Sequence, residues 1–203
     1  MDPHDVRALQ RREILLASSS PYRRDLLSRL GVQFEWLPPE ADELPLPGEL
    51  PEVLVARLAR DKAQSLARVR PGALIVGSDQ VAVLPDGTVL SKPGDHASAR
   101  RELRLCSGRE VRFVTGLCVL DTAVGRAQID VIECAIRFRE LADAEIERYL
   151  LADRPYDCAG AFRSEGMGVS LLHGMSLTDP TALVGLPLIR LAAMLREAGV
   201  SVP

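Results

Sequence analysis

Histidine is scarce in this chain of 203 residues, which holds only His4, His96 and His173. None accompanies a G-x-S-x-G elbow, so serine hydrolase chemistry is disfavoured. Cys106, Cys118, Cys134 and Cys158 form no C-x-x-C pair and have no histidine at a zinc-ligand interval, so buried reduced thiols are expected. There is no G-x-x-x-x-G-K-[ST] loop, and Gly166-Met167-Gly168 lacks the third glycine of a dinucleotide-binding turn. Positive charge is not in excess: 25 lysines and arginines face 28 aspartates and glutamates, a formal net charge of −3. That balance argues against a broad nucleic-acid surface and leaves room for a small anion in a local basic pocket. No apolar stretch of about 18 residues could span a bilayer. The segment Met1 to Arg12 is polar and without a signal-peptide core, so no membrane association and a cytoplasmic location are expected.

With 47% hydrophobic and 26% charged residues, the chain suits one substantial core and is short for two domains. A single domain over 13–203 is expected, behind a flexible extension over 1–12. Ile14-Leu15-Leu16 reads as a short strand running into Ser18-Ser19-Ser20, where Ser20 can cap a helix and Pro21 suits its first position. Such a helix start offers free backbone N–H groups and partial positive charge, with Arg23 and Arg24 in its first turn. This is a phosphate site in outline, although the same residues also suit an ordinary capped surface helix.

Val32 to Leu37 reads as a second strand and 38–51 as an acidic, proline-rich loop. The spacing of Val55, Leu58, Ala59, Ala63 and Leu66 predicts an amphipathic helix over 51–70, with Lys62 on the same stripe. A strand over 73–84, a Pro85-Asp86-Gly87 turn and a short return to Leu90 predict a hairpin. A helix over 96–106 follows, then two long strands, 110–120 and 127–138, joined around Gly125 as an antiparallel ribbon. A helix over 142–151, a short strand over 168–172 and a last helix over 188–198, ended by Gly199, complete the pattern. Asp79 interrupts the apolar run Leu74 to Val83. A buried carboxylate is costly unless a cation, a hydrogen-bond network or a sheet edge receives it.

Ser18, Ser20, Pro21, Arg23, Leu26 and Leu27 resemble the S-x-S-P-x-R-x-x-L-L signature of the Maf-like nucleotide pyrophosphatases. Gly77-Ser78-Asp79-Gln80-Val81 is similar to that family's G-[AS]-D-[TQ]-V, Lys62 stands as in its A-x-x-K-A helix, and Lys92 as in its K-P turn. Glu43 falls where the family has an acidic pair. Cys158-Ala159-Gly160-Ala161-Phe162 lies near K-A-G-A-Y, and Val184-Gly185-Leu186-Pro187 is identical to V-G-L-P. The resemblance implies an α/β domain of the Maf/inosine triphosphatase-like fold: a central mixed, bent sheet flanked by helices, with a cleft between two lobes. It implies a small-molecule nucleotide substrate, with Asp79 as proton acceptor and Ser18, Arg23, Lys62 and Lys92 on its phosphates. It also implies a divalent metal cation, Mg2+ or Mn2+, at Asp79 and Glu43, and a homodimer by analogy alone. Whether Asp79 acts as base or metal ligand stays open, and from the residues alone Lys62 also reads as a snorkelling side chain and Lys92 as an exposed turn lysine.

Three positions depart from the commonest family pattern. Tyr22, Gln80 and Glu165 stand where many members that act on dTTP and UTP carry arginine, threonine and glutamine, and they resemble the YceF-type branch described as 7-methyl-GTP pyrophosphatases. The chemistry agrees, because N7-methylation gives guanine a positive charge that an aromatic face attracts. A carboxylate accepts from the guanine N1 and N2 donors and fails to pair with uracil or thymine oxygens. The expected reaction is hydrolysis of 7-methyl-GTP to 7-methyl-GMP and pyrophosphate. A dTTP and UTP pyrophosphatase and a non-catalytic, nucleotide-binding regulator of cell division stand as alternatives; a sensor would need no water-activating carboxylate at 79.

Overall fold

The computed structural model describes residues 12–202. Of the expected extension, residues 1–11 lie outside the described residues. Arg12 is tied down, its Nη2 donating to Asp121 at 2.6 Å.

The chain begins with strand β1 (Ile14–Ala17), helix α1 (Pro21–Ser28) and strand β2 (Glu35–Leu37). Helix α2 (Pro51–Ser65) leads into β3 (Leu74–Val83) and the two-residue β4 (Val89–Leu90). Helix α3 (His96–Cys106), the long strands β5 (Glu110–Asp121) and β6 (Arg126–Phe138) and helix α4 (Asp143–Asp153) follow. Strand β7 (Leu172–Leu177), a tight turn over Pro180–Val184 and helix α5 (Leu188–Glu197) close the chain. The expected strand over 168–172 is a correction: Met167–Leu171 forms a tight helical turn and β7 starts only at Leu172. Helix α2 stops short of residue 70 because its last turns tighten, with Leu66 N–H donating to Ala63 O and Ala67 N–H to Gln64 O. The second strand is shorter than expected because β1 offers only Leu15–Ala17 for pairing.

One mixed sheet runs in the order β2-β1-β3-β5-β6-β7, with β4 beside β3. Strands β1, β2 and β3 are parallel and β3, β5, β6 and β7 antiparallel. Side chains alternate across a strand, so the two faces of β3 have different covers. Leu74 and Val76 pack with Leu26, Leu27, Leu191 and Leu195 from α1 and α5. Farther along the same face, Ala82 and Leu84 join a second core with Leu103, Phe113, Phe138 and Leu150. The opposite face receives α2, whose Ala59 and Ala63 meet Ile75 and whose Leu54, Val55 and Leu58 meet Val81 and Val83.

The two cores leave a polar waist between them at Ser78, Asp79, Gln80 and Thr115. Helix α2 lies very close there. A Cβ on Gly77 would collide with the Ala59 carbonyl, and one on Gly116 with the Val55 carbonyl, so two glycines on neighbouring strands seat the helix backbone directly on the sheet.

Candidate active site

Strand β1 pairs with β3 only as far as Ala17↔Gly77, and β4 takes up pairing at Ala82. Ser78 to Val81 therefore have no strand partner on that side among the described residues. The notch opens at the carboxyl ends of two parallel strands, where open α/β sheets receive ligands. One wall is the start of α1. Ser20 caps it, its Oγ accepting from Arg23 N–H at 3.4 Å, and the buried Ser18 Oγ accepts from Ser20 N–H at 3.1 Å. The other wall is the Lys92 turn, held where Gly160 N–H donates to Ser91 O and Gly94 N–H to Tyr156 O.

Arg23 reaches across the notch from α1. Its Nη1 donates to Ser78 O at 2.7 Å, satisfying a carbonyl that the missing strand leaves open, and its Nε donates to Gly185 O at 2.8 Å. Gly185 has φ of +105°, and a Cβ there would press within 3.3 Å of Arg23 Nε. Both facts call for glycine in the Val184-Gly185-Leu186-Pro187 segment. Burial lowers the Arg23 guanidinium from its ordinary value, against the opposing pull of Asp79 and Glu43.

Asp79 and Gly77 share the face of β3 that meets α2, so the seating of the helix carries Lys62 onto Asp79. The Lys62 Nζ donates to Asp79 Oδ1 at 2.6 Å and lies 2.7 Å from Glu43 Oε1, with the Lys62 and Asp79 side chains only 7% and 11% exposed. This answers the cost of a carboxylate in an apolar strand: an ammonium neutralises it. Glu43 comes from the loop before α2 and is 64% exposed. Burial raises its carboxyl, but the hydrogen bond from Lys62 and the charges of Lys62, Lys92 and Arg23 outweigh that and hold it below the usual carboxylate value. Lys62, Asp79, Glu43, Arg23 and the exposed Lys92 thus gather at one notch.

The residues expected to read the base divide. Tyr22, in the first turn of α1, accepts a hydrogen bond from Arg163 Nη2 at 2.7 Å, and the guanidinium carbon sits 5.1 Å from the ring centroid. Its hydroxyl is pushed up to about 12, first by burial and then by Cys158, Asp157 and Glu165, with Arg163 opposing. Glu165 is exposed and accepts from Ser164 Oγ at 2.8 Å. Gln80 faces away from Asp79. Its Nε2 donates to Thr115 Oγ1 at 2.9 Å and to the carbonyls of Ala182 and Leu183, tying the Pro180–Val184 turn to the sheet.

Three further residues bear on the site. Thr115 is fully buried and donates from Oγ1 to Ala182 O, but a threonine in a strand pattern gives no polar signal. Asp179 is buried and accepts from Thr181 N–H and Ile189 N–H, fixing the turn and the start of α5. Asp157 adjoins Cys158, whose half-buried thiol is pushed up to about 12 by burial and by Asp157 and Glu165, which makes it inert as a nucleophile.

No group of three or more histidine, cysteine, aspartate and glutamate side chains suited to a metal occurs among the described residues. Asp79 and Glu43 are two hard oxygen donors, a set that fits Mg2+ or Mn2+ when phosphate oxygens and water complete the shell. No helix among the described residues is long and apolar enough to cross a membrane.

A family model described as Maf-like protein matches residues 13–198. A 7-methyl-GTP pyrophosphatase from Pseudomonas syringae pv. tomato is 54% identical over 190 residues, covering 94% of this chain and 98% of that one. Another of that name, from Nitrosococcus oceani, is 51% identical over 186 residues, covering 92% and 93%. Among solved structures, the Staphylococcus aureus Ham1 protein has a TM-score of 0.46 at 13% identity, covering 65% of this chain and 73% of that one. With the family match spanning the sheet, its helices and the whole notch, the chain belongs to the family of Maf-like proteins.

Proposed function

We propose that the protein is a nucleoside triphosphate pyrophosphatase that hydrolyses 7-methyl-GTP to 7-methyl-GMP and pyrophosphate, clearing a modified nucleotide from the cytoplasmic pool. The observation that carries the reaction class is the buried Asp79 paired with Lys62 and Glu43 at a notch walled by Arg23, Lys92 and a helix N-terminus. Relatives about half identical over nearly their whole length bear the substrate in their names.

In this reading Ser18, the α1 N-terminus, Arg23, Lys62 and Lys92 hold the triphosphate, which neutralises charge where it builds up. Asp79 takes a proton from the water that attacks the α-phosphorus, forming the new P–O bond while the bond to the pyrophosphate oxygen breaks. A divalent cation at Asp79 and Glu43 would, when bound, supply further neutralisation of the phosphates. Tyr22 offers its ring to the cationic base and Glu165 accepts from the guanine N1 and N2 donors. Gln80 acts at one remove, through the Pro180–Val184 turn.

The test is pyrophosphate release from 7-methyl-GTP, GTP, dTTP, UTP and CTP with Mg2+ or Mn2+, with Asp79→Asn beside the wild type. A general base contributes about 10²–10⁴-fold, so Asp79→Asn should lose turnover by that order while still binding nucleotide, because Arg23, Lys62, Lys92 and the α1 N-terminus all remain. Selective wild-type turnover of 7-methyl-GTP supports the reading. Turnover of dTTP and UTP instead would keep the mechanism and replace the substrate, and inactivity with retained binding would favour a nucleotide-binding regulator.

A further inference from the structure

Lys62 occupies the place where a metal would bind. Its Nζ lies 2.6 Å from Asp79 Oδ1 and 2.7 Å from Glu43 Oε1, between the two carboxylates to which the proposed reaction gives a divalent cation. No third acidic or histidine ligand is clustered with them among the described residues. An ammonium and a divalent ion that share the same two carboxylates repel one another at close range and compete for the same lone pairs.

Arg23 has its Nε and Nη1 committed to Gly185 O and Ser78 O, and it is Lys62 that pairs directly with both carboxylates. Lys62 can move. It is a compact point charge on a flexible four-carbon stem, with three donors that suit phosphate oxygens as well as carboxylates, and it stands in the last turn of α2.

We propose that Lys62 is the resident cation of a latent metal site. In the free protein it neutralises Asp79 and Glu43 and keeps divalent ions off them. When an anionic phosphate chain enters the notch, Lys62 transfers its hydrogen bonds to phosphate oxygens and the two carboxylates become available to a metal. Nucleotide and metal then bind with positive coupling, and by linkage each tightens the other by the same factor. The proposal rests on Asp79 and Glu43 being the cation ligands of the proposed reaction. It adds that the ligands are blocked until substrate arrives, and it makes Lys62 a positioning residue for the metal as well as a phosphate contact.

The experiment measures Mn2+ binding to the whole chain with no nucleotide present, by loss of the free-ion electron paramagnetic resonance signal and by calorimetry. Wild type should bind Mn2+ only weakly, with a dissociation constant in the millimolar range. Lys62→Met should bind Mn2+ at least tenfold more tightly, and adding Asp79→Asn to it should abolish the gain. Lys62→Gln, which keeps a polar end between the carboxylates, gives the same comparison if Lys62→Met does not fold. Tight Mn2+ binding by wild type alone, or equal affinity in wild type and the neutral variants, overturns the proposal. Because no turnover is read, a chain that hydrolyses none of the nucleotides would sink the proposed reaction and leave this result interpretable.

Discussion

Tyr22, Gln80 and Glu165 differ together from the dTTP and UTP pattern, yet they occupy three physically distinct settings. Tyr22 already carries a cation over its ring in the form of Arg163. A cation–π contact of about 0.5–2 kcal/mol corresponds to a few-fold to about thirtyfold preference for a charged base. Tyr22→Leu should therefore cut the ratio of kcat/KM for 7-methyl-GTP over GTP by about tenfold. Glu165→Gln should instead lower kcat/KM for 7-methyl-GTP and GTP together relative to dTTP and UTP, because both purines offer it the N1 and N2 donors. Gln80→Thr should behave differently, because a threonine opposite Thr115 keeps at most the cross-strand bond to its hydroxyl and is too short to reach the carbonyls of Ala182 and Leu183. Unsatisfied buried acceptors cost about 1–3 kcal/mol, so this variant should lose stability and slow all substrates alike. Competitive assays of the three variants on mixed nucleotides check this, and a changed substrate ranking in Gln80→Thr alone would make Gln80 a direct reader of the base.

Helix α2 and strand β3 act as a unit because Gly77 and Gly116 let the helix backbone touch the sheet. The Cβ of Gly77→Ala would meet the Ala59 carbonyl and Ala63 N–H, neither of which can yield without lifting the helix. Overpacking of this kind costs about 1–3 kcal/mol, and lifting α2 also draws Lys62 away from Asp79. Gly77→Ala should therefore lose both thermal stability and kcat. Gly125→Ala serves as the contrast, since Gly125 has φ of +69° in the β5–β6 turn with open space around it. It should cost about 1 kcal/mol from the backbone conformation and leave kcat unchanged. Equal kcat in the two variants would show that the helix seat has no bearing on the site. This coupling was not legible in the sequence, where Gly77 and Gly116 read only as small residues in strands. Leu74 to Val83 reads as an apolar run interrupted by Asp79, with no alternation that would say which face of β3 meets α2. The helix over 96–106 and the long ribbon were legible because their apolar spacing and turn residues agree. The segment over 168–172 was not, because its apolar residues suit a strand while its backbone closes into a tight turn before β7.

At the scale of the whole molecule, β3 and β5 pass through both cores, with the polar waist between them. Leu74 and Val76 belong to one core, Ala82 and Leu84 to the other, and Val119 and Phe113 of β5 divide in the same way. Strands shared between cores leave little independence to either lobe, so the described chain should melt in one cooperative transition. The notch takes its walls from both sides of the waist, with α1 beside the first core and the Lys92 turn beside the second. A ligand seated there stabilises both lobes at once. At a concentration 100 times its dissociation constant it adds about 2.7 kcal/mol. For a chain of this size each kcal/mol moves Tm by about 2–4 °C, so 7-methyl-GMP with Mg2+ should raise Tm by roughly 5–10 °C without splitting the transition. Mg2+ alone should leave it in place, because Lys62 already fills the gap between Asp79 and Glu43. Differential scanning calorimetry decides the matter: two separate transitions would mean that the cores unfold independently across the waist, and a large shift with Mg2+ alone would mean that Lys62 does not guard the carboxylates.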